Sequence, residues 1–311
     1  MKRTAYVIFN PLAARTSKQT LDSVVAEFKA AGWSAEIGDV CVHGDAEELA
    51  RGAVLAGASV VVVHGGDGTI TKAIEGVLGT DTAIGVIPGG TGNLLAGNLR
   101  LPKHPIRAAR AILDTNHRPI DVGRIRCGGF ERYFSVGCGA GFDADITTGT
   151  SPAVKRRIGR FAYMMKTFEV MGSLKAVPHR VTIDGDTREV MASSVFVANC
   201  GEMVPPFFSL NKGISASDGF FDVVMMNPKG YIESIHLFWQ LISGRRGGKS
   251  CVEFARGKVV HVEADRPQPV ELDGDAMGTT PFTAEMIHHG VSVCFPRTAR
   301  GFDSNGKAQA A

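Results

Sequence analysis

Three short loops hold residues whose types and spacing could do chemistry. "NPLAAR" (Asn10–Arg15), "GGDGT" (Gly65–Thr69) and "PGGTGN" (Pro88–Asn93) each follow an apolar, β-branched run and precede a helical pattern. Glycines at the carboxyl end of a strand, opening a helix, present successive backbone N–H groups to an anion. Thr69, Thr91 and Asn93 add short polar donors. A single loop of this kind is an ordinary strand-to-helix turn, but three at one sheet edge point to phosphate. Asp67 is the odd member, because a carboxylate repels phosphate unless a cation such as Mg²⁺ lies between them. The competing reading makes Asp67 a helix N-cap, and the residues alone leave both open.

The elements that must position these loops alternate in type. "TAYVIFN", "SAEIGDVCV", "ASVVVVHG" and "TAIGVIPGG" read as strands, separated by helical spacing in "SKQTLDSVVAEFKAAG", "GDAEELARGAVLAG" and "TITKAIEGVLG". That alternation implies right-handed crossovers and a parallel sheet. From about Pro119 the texture changes to short strands between Gly, Asp and Pro turns, which suggests an antiparallel sandwich. Helical spacing interrupts it over Val154–Ser173 and Tyr231–Ser243. The expected fold class is α/β plus all-β. An N-terminal parallel α/β nucleotide-binding domain spans 1–118 and a C-terminal antiparallel β-sandwich spans 119–296, with the end, 297–311, packing back on the first.

Composition narrows the function. Hydrophobic and charged contents of 44% and 21% are those of a globular chain, and a dispersed net charge of +3 argues against nucleic acid. Six scattered cysteines without a C-x-x-C pair read as reduced thiols in the cytoplasm, and nine histidines without H-x-x-x-H spacing indicate no zinc site. No apolar run approaches the roughly 20 residues of a membrane span, so membrane contact would be peripheral at most. G-x-x-x-x-G-K-[ST] is absent and G-x-G-x-x-G does not open the first βαβ unit.

"GGDGT" followed at this spacing by "PGGTGN" resembles the catalytic domain shared by diacylglycerol, sphingosine and ceramide kinases, above all the soluble bacterial lipid kinases of the diacylglycerol kinase type. "FNPLAA", "GDAEELA", "IDVGRI", "GCGAGFDADI", "VANC", "SLNKGISASDGFFDVVM" and "VELDGD" fall in that family's order, so the resemblance covers nearly the whole chain. It implies a fold like that of NAD kinases and diacylglycerol kinases. It also implies ATP held by Asn10, Pro11, Leu12, Ala13, Ala14, Gly65, Gly66, Asp67, Gly68, Thr69, Thr91 and Asn93. The γ-phosphoryl group would pass to a primary hydroxyl of a membrane lipid, diacylglycerol before ceramide or a sphingoid base, in phospholipid biosynthesis.

The family's base is a Glu in D-G-E. Here Asp275 holds that place, with Asp273 orienting it or acting in its stead and Asp67 completing the catalytic set; a type I′ hairpin at "DGD" is the structural alternative. Mg²⁺ is implied at Asp67 and Asp121, and a second, structural Mg²⁺ at Ser215, Asp218 and Phe220, held partly by main-chain oxygen, where an Asx-type turn is the alternative. Two departures stand out. Leu94 replaces the Asp that commonly follows the Asn of P-x-G-T-x-N, and Val40, Cys41 and Val42 fill a region that often holds a Thr. On the lipid side, Phe161, Met165 and Phe168 share a helical face and Phe207 and Phe208 follow two prolines; together they could contact acyl chains at a membrane surface, or simply be core. A homodimer is compatible with the sequence. The alternatives are an NAD kinase-like enzyme, which shares GGDGT, and a catalytically weak nucleotide- or lipid-binding regulator.

Overall fold

The computed structural model describes residues 3–141, 176–204, 208–210, 214–243 and 251–297. The chain divides into two compact units, Met1–Asp121 with His289–Ala311, and Val122–His288.

In the first unit, β1 (Thr4–Phe9), β2 (Ser34–Asp39), β3 (Val60–Gly65) and β4 (Ala83–Pro88) form a parallel sheet in the order β2-β1-β3-β4. The last strand of the chain (Phe282–Phe295) joins it through Val293, parallel to Ile84. Consecutive Val7 and Ile8 are both fully buried, so β1 is covered on both faces, as the apolar strands of a parallel sheet require. Helices α1 (Lys18–Ala30), α2 (Ala46–Leu55), α3 (Asp67–Val77), α4 (Leu94–Asn98) and α5 (Pro105–Leu113) make the crossovers. Val24 and Phe28 of α1 and Ala109 and Ile112 of α5 share one cluster with Val7 and Val62. Ser17 caps α1 by accepting from Thr20 N–H at 3.1 Å, and Asp45 of "GDA" caps α2 by accepting from Glu47 N–H at 3.0 Å. Sequence reading passed over α5, although Pro105 in its first turn and buried Ala108, Ala109 and Ile112 at helical spacing mark it.

The second unit continues from β5 (Asn116–Cys127) through β6 (Phe130–Phe134), β7 (Gly137–Ala140), β8 (Val177–Ile183), β9 (Asp186–Ala192) and β10 (Ser194–Ala198). A short hairpin, β11 (Glu202–Val204) and β12 (Phe208–Ser209), leads to β13 (Phe221–Met226) and α6 (Gly230–Ser243). The remaining strands are β14 (Val252–Gly257), β15 (Val259–Ala264), β16 (Pro269–Leu272), β17 (Asp275–Thr279) and β18, the strand Phe282–Phe295. One sheet is antiparallel in the order β14-β13-β10-β7-β16-β17; in the other, β15 lies between β8 and β18. Alternation sends Val195, Val197, Val223 and Val270 from the first sheet, and Val181, Val260 and Phe282 from the second, into one buried cluster where Phe134 stacks on Phe221 at 5.4 Å. The expected α/β plus β-sandwich class is the observed one. Of the two expected helices, Tyr231–Ser243 falls within α6, whereas Val154–Ser173 lies outside the described residues.

Candidate active site

The three loops of the first unit are knitted together by their own backbone. Asn10 N–H donates to His64 O at 3.1 Å, Gly89 N–H to Gly65 O at 2.8 Å, and Arg15 N–H to Gly89 O at 2.8 Å. Asn10 also bridges with its side chain, giving its amide to Thr69 Oγ1 at 2.8 Å while Oδ1 accepts from Leu12 N–H at 3.0 Å. Asn93, in the left-handed region at φ 49°, closes its loop by exchanging two 2.9 Å bonds with the backbone of Gly90. The glycines are there for loop-to-loop contact as much as for a ligand: a Cβ at Gly90 would lie 2.7 Å from Gly66 Cα. Pro11, Leu12, Ala14 and Gly68 stay exposed along this rim, and Thr91 is partly exposed.

Asp67 is the first residue of α3, and the N-cap is Gly66, which has no side chain to satisfy the first-turn N–H groups. The capping alternative is therefore right in kind but applies to a different helix. Asp67 Oδ1 accepts from Leu94 N–H at 2.7 Å, the first residue of α4. Its other oxygen presses on Gly92, where a Cβ would come within 2.7 Å of Oδ2. So the departure at Leu94 is met by its backbone, which binds the Asp67 carboxylate directly. A helix N-terminus with a glycine cap suits phosphate, and a carboxylate at that terminus suits a cation beside it. These residues fit a nucleoside triphosphate with Mg²⁺.

In the second unit, "DGD" is the type I′ hairpin that the sequence allowed. Asp273 and Gly274 have φ of 46° and 94°, and Leu272 pairs with Asp275 across the turn. Asp273 is an anchor. Its Oδ1 accepts from the N–H groups of Val136 and Gly137, both at 2.9 Å, and its Oδ2 from Ser135 N–H at 3.0 Å and Ser135 Oγ at 3.3 Å. Asn199 of "VANC" secures the same strand start, donating to Ser135 O at 2.8 Å. Asp275 is exposed. Sequence reading missed Glu271, on β16. Part of its side chain remains accessible, yet burial of its carboxyl, with Asp273 and Asp275 adding, pushes it up to about 7. It also missed His64, fully buried at the end of β3, whose imidazole burial holds below its ordinary range.

The loop expected to hold a second Mg²⁺ is already served by a cation. Asp218 Oδ1 accepts from Phe220 N–H at 3.2 Å, the Asx-type turn, while Oδ2 is ion-paired to Arg256 of β14. The Arg256 guanidinium lies 4.8 Å over the Phe220 ring and 3.9 Å from Asp222, and Ser215 Oγ bonds Ser217 Oγ at 3.3 Å. Mg²⁺ requires oxygen ligands in octahedral array, and here the loop's carboxylate is held by a guanidinium, so the Asp218 side chain as placed does not fit it as a ligand. EDTA is accordingly expected to leave the melting temperature unchanged. Arg256→Met, at a cost of roughly 1–2 kcal/mol, should lower it and make it rise on adding MgCl₂. A wild-type melting temperature that drops in EDTA would place a metal in this loop after all.

Asp121 is fully buried, and its Oδ1 accepts from His289 N–H at 2.8 Å. Phe161, Met165, Phe168 and Phe207 lie outside the described residues, and Phe208 of β12 pairs through its backbone with Val204 of β11. Ile232 and Ile235 of α6 are exposed apolar residues one turn apart, 84% and 57% accessible. No helix among the described residues is long and apolar enough to cross a membrane.

Comparison with known proteins agrees with this geometry. Residues 4–125 match the diacylglycerol kinase catalytic domain, and residues 136–295 match the YegS C-terminal NAD kinase beta sandwich-like domain. The diacylglycerol kinase of Mycobacterium tuberculosis (strain H37Rv) is 31% identical over 261 residues, covering 81% of this chain and 82% of its own length. That of Bacillus subtilis (strain 168) is 28% identical over 303 residues, 96% of this chain and 97% of the relative. The crystal structure of a diacylglycerol kinase from Bacillus anthracis shares the fold, with a TM-score of 0.72 and 21% identity over 95% of this chain and 97% of that one. The NAD kinase-like alternative survives only as a likeness of fold in the second matched domain. With its GGDGT and PGGTGN loops knitted at one sheet edge and its D-G-D hairpin pinned in a β-sandwich, the chain belongs to the diacylglycerol kinase family and is a lipid kinase.

Proposed function

We propose that the chain transfers the γ-phosphoryl group of ATP to the primary hydroxyl of diacylglycerol, giving phosphatidic acid. The observation that carries this reading is Asp67, a carboxylate in the first turn of α3 behind a glycine cap. That position repels a bare polyphosphate and suits one that arrives with Mg²⁺. The exposed rim of Pro11, Leu12 and Ala14 would pack against the nucleotide, and the first-turn N–H groups of α3 with the Thr69 hydroxyl would bind phosphate. Mg²⁺, when bound through Asp67, would neutralise charge developing on the transferred group. The acceptor hydroxyl must lose its proton to a carboxylate, and the 271–275 hairpin supplies three. Membrane contact would be peripheral, and exposed Ile232 and Ile235 offer a small apolar face for it.

The test is transfer of labelled phosphate from ATP to diacylglycerol, ceramide and sphingosine in mixed micelles, with NAD as control. Labelled phosphatidic acid is the expected product. Transfer to ceramide or sphingosine alone would correct the substrate, and transfer to none of the lipids would sink the reading.

A further inference from the structure

β18 carries two consecutive histidines, His288 and His289, that phosphoryl transfer leaves unused. A regular strand sends neighbouring side chains to opposite faces, so such a pair gives no metal-binding spacing in the sequence. Here the backbone breaks that alternation. His289 stands at φ 53°, in the left-handed region that few residues with a Cβ adopt. Both imidazoles come to the same carboxylate: ligand atoms of Asp121, His288 and His289 all lie within 4.8 Å of one another. Asp121 and His289 belong to the first unit, and a peptide bond joins His288 to His289, so β5 and β18 alone place the three.

Asp121 is fully buried on β5, whereas both histidines are exposed. Its Oδ1 accepts from His289 N–H at 2.8 Å, which fixes the plane of the carboxylate, as outer hydrogen bonds orient the ligands of a metal. The His288 ring has a support of its own. A Cβ at Gly219 would lie 2.9 Å from His288 Nδ1, so the ring packs on a residue with no side chain. The donor set selects the ion. Zinc stands about 2.0–2.2 Å from imidazole nitrogen and carboxylate oxygen, which puts tetrahedral ligands roughly 3.4 Å apart, within reach of small side-chain rotations here. Two imidazoles and one carboxylate are the set that keeps a fourth position for water, and the exposed histidines turn that position toward solvent. The family resemblance implies Mg²⁺ at Asp121, but Mg²⁺ takes oxygen ligands and keeps its waters. Two imidazoles beside the carboxylate favour a first-row transition ion.

We propose that Asp121, His288 and His289 bind a divalent first-row transition ion, zinc above all, which ties β18 to β5. The proposal is independent of the kinase reading, since neither nucleotide nor lipid takes part in the binding. An ion held only by the folded chain raises its stability by mass action.

The test is titration of the untagged chain, freed of metal, with ZnCl₂ by calorimetry and with CoCl₂ by visible absorption, without ATP. One equivalent should bind, cobalt should develop the intense d–d bands of a low-coordinate site, and excess MgCl₂ should displace neither ion. In spectra of histidine-labelled wild type, a readout independent of any variant's folding, two of the nine imidazoles should shift with zinc. His288→Gln and His289→Asn, the latter because asparagine tolerates positive φ, should each weaken binding by about 10²-fold or more, beyond what the loss of an outer partner costs. Zinc should raise the melting temperature of wild type and leave that of the double variant unchanged, while the two metal-free proteins melt alike. A chelator would also strip this site, so the EDTA comparison for the Asp218 loop is made on the double variant. Zinc binding that survives in the double variant would place the ion elsewhere and overturn the proposal. So would displacement by MgCl₂, or no binding by wild type, which would leave Asp121 only as a hydrogen-bond acceptor for β18.

Discussion

Asp67→Asn is expected to fold like the wild type and to lose phosphoryl transfer almost entirely. The two consequences separate because the side chain would have two jobs, one observed as a cap and one proposed as a cation ligand. Its Oδ1 accepts the Leu94 N–H and so caps α4, a contact worth about 1 kcal/mol. An asparagine carbonyl can keep that bond, so melting should move little. The negative charge is what asparagine removes, and with it the attraction for the cation that travels with ATP. Loss of several kcal/mol of charge stabilisation at the transition state corresponds to a fall in kcat on the order of 10³-fold. Asp67→Ala should add the loss of the cap to the same catalytic defect. Turnover by Asp67→Asn within a few-fold of wild type, at saturating ATP and MgCl₂, would show that the carboxylate serves the loops alone.

That pair of roles also marks where sequence reasoning reaches and where it stops. Strand, glycine and helix onset are local, so GGDGT and PGGTGN could be placed at one sheet edge from periodicity and crossover handedness. The bond from Leu94 to Asp67 spans 27 residues, and no local pattern carries it. The D-G-D turn was legible because a two-residue I′ hairpin needs positive φ at both centres, which Asp and Gly tolerate. Which of its carboxylates would be pinned, solvated or sheltered was not legible, since that depends on Ser135, Val136 and Gly139 across the ladder. Likewise, Asp218 reads as a cation ligand until the sheet brings Arg256, 38 residues on, beside it. Helix α5 differs, because its signals, Pro105 in the first turn and Ala108, Ala109 and Ile112 at helical spacing, are local.

Asp273→Ala is expected to cost the second unit on the order of 3 kcal/mol, the largest stability effect in the hairpin. Truncation strips the acceptor from three backbone N–H groups and a hydroxyl at the start of β7. Ser135 and Val136 are buried to within 2%, so those donors cannot turn to water freely, and orphaned buried donors cost about 1–3 kcal/mol each before relaxation. Alanine also has to hold φ near 46°, a left-handed conformation that costs a Cβ-bearing residue roughly 1–2 kcal/mol. Asp273→Asn should recover much of this, because asparagine tolerates that conformation and its carbonyl can still accept from Val136 and Gly137. Its amide would then face Ser135 N–H donor to donor, leaving a residual penalty and a shifted turn. Thermal melting should rank wild type above Asp273→Asn above Asp273→Ala. If Asp273 anchors the hairpin without touching substrate, the Asn variant should lose kcat in proportion to the disturbance of the turn, with KM for ATP unchanged. An Asp273→Asn protein that melts like wild type yet transfers no phosphate would make Asp273 itself the group that meets the substrate.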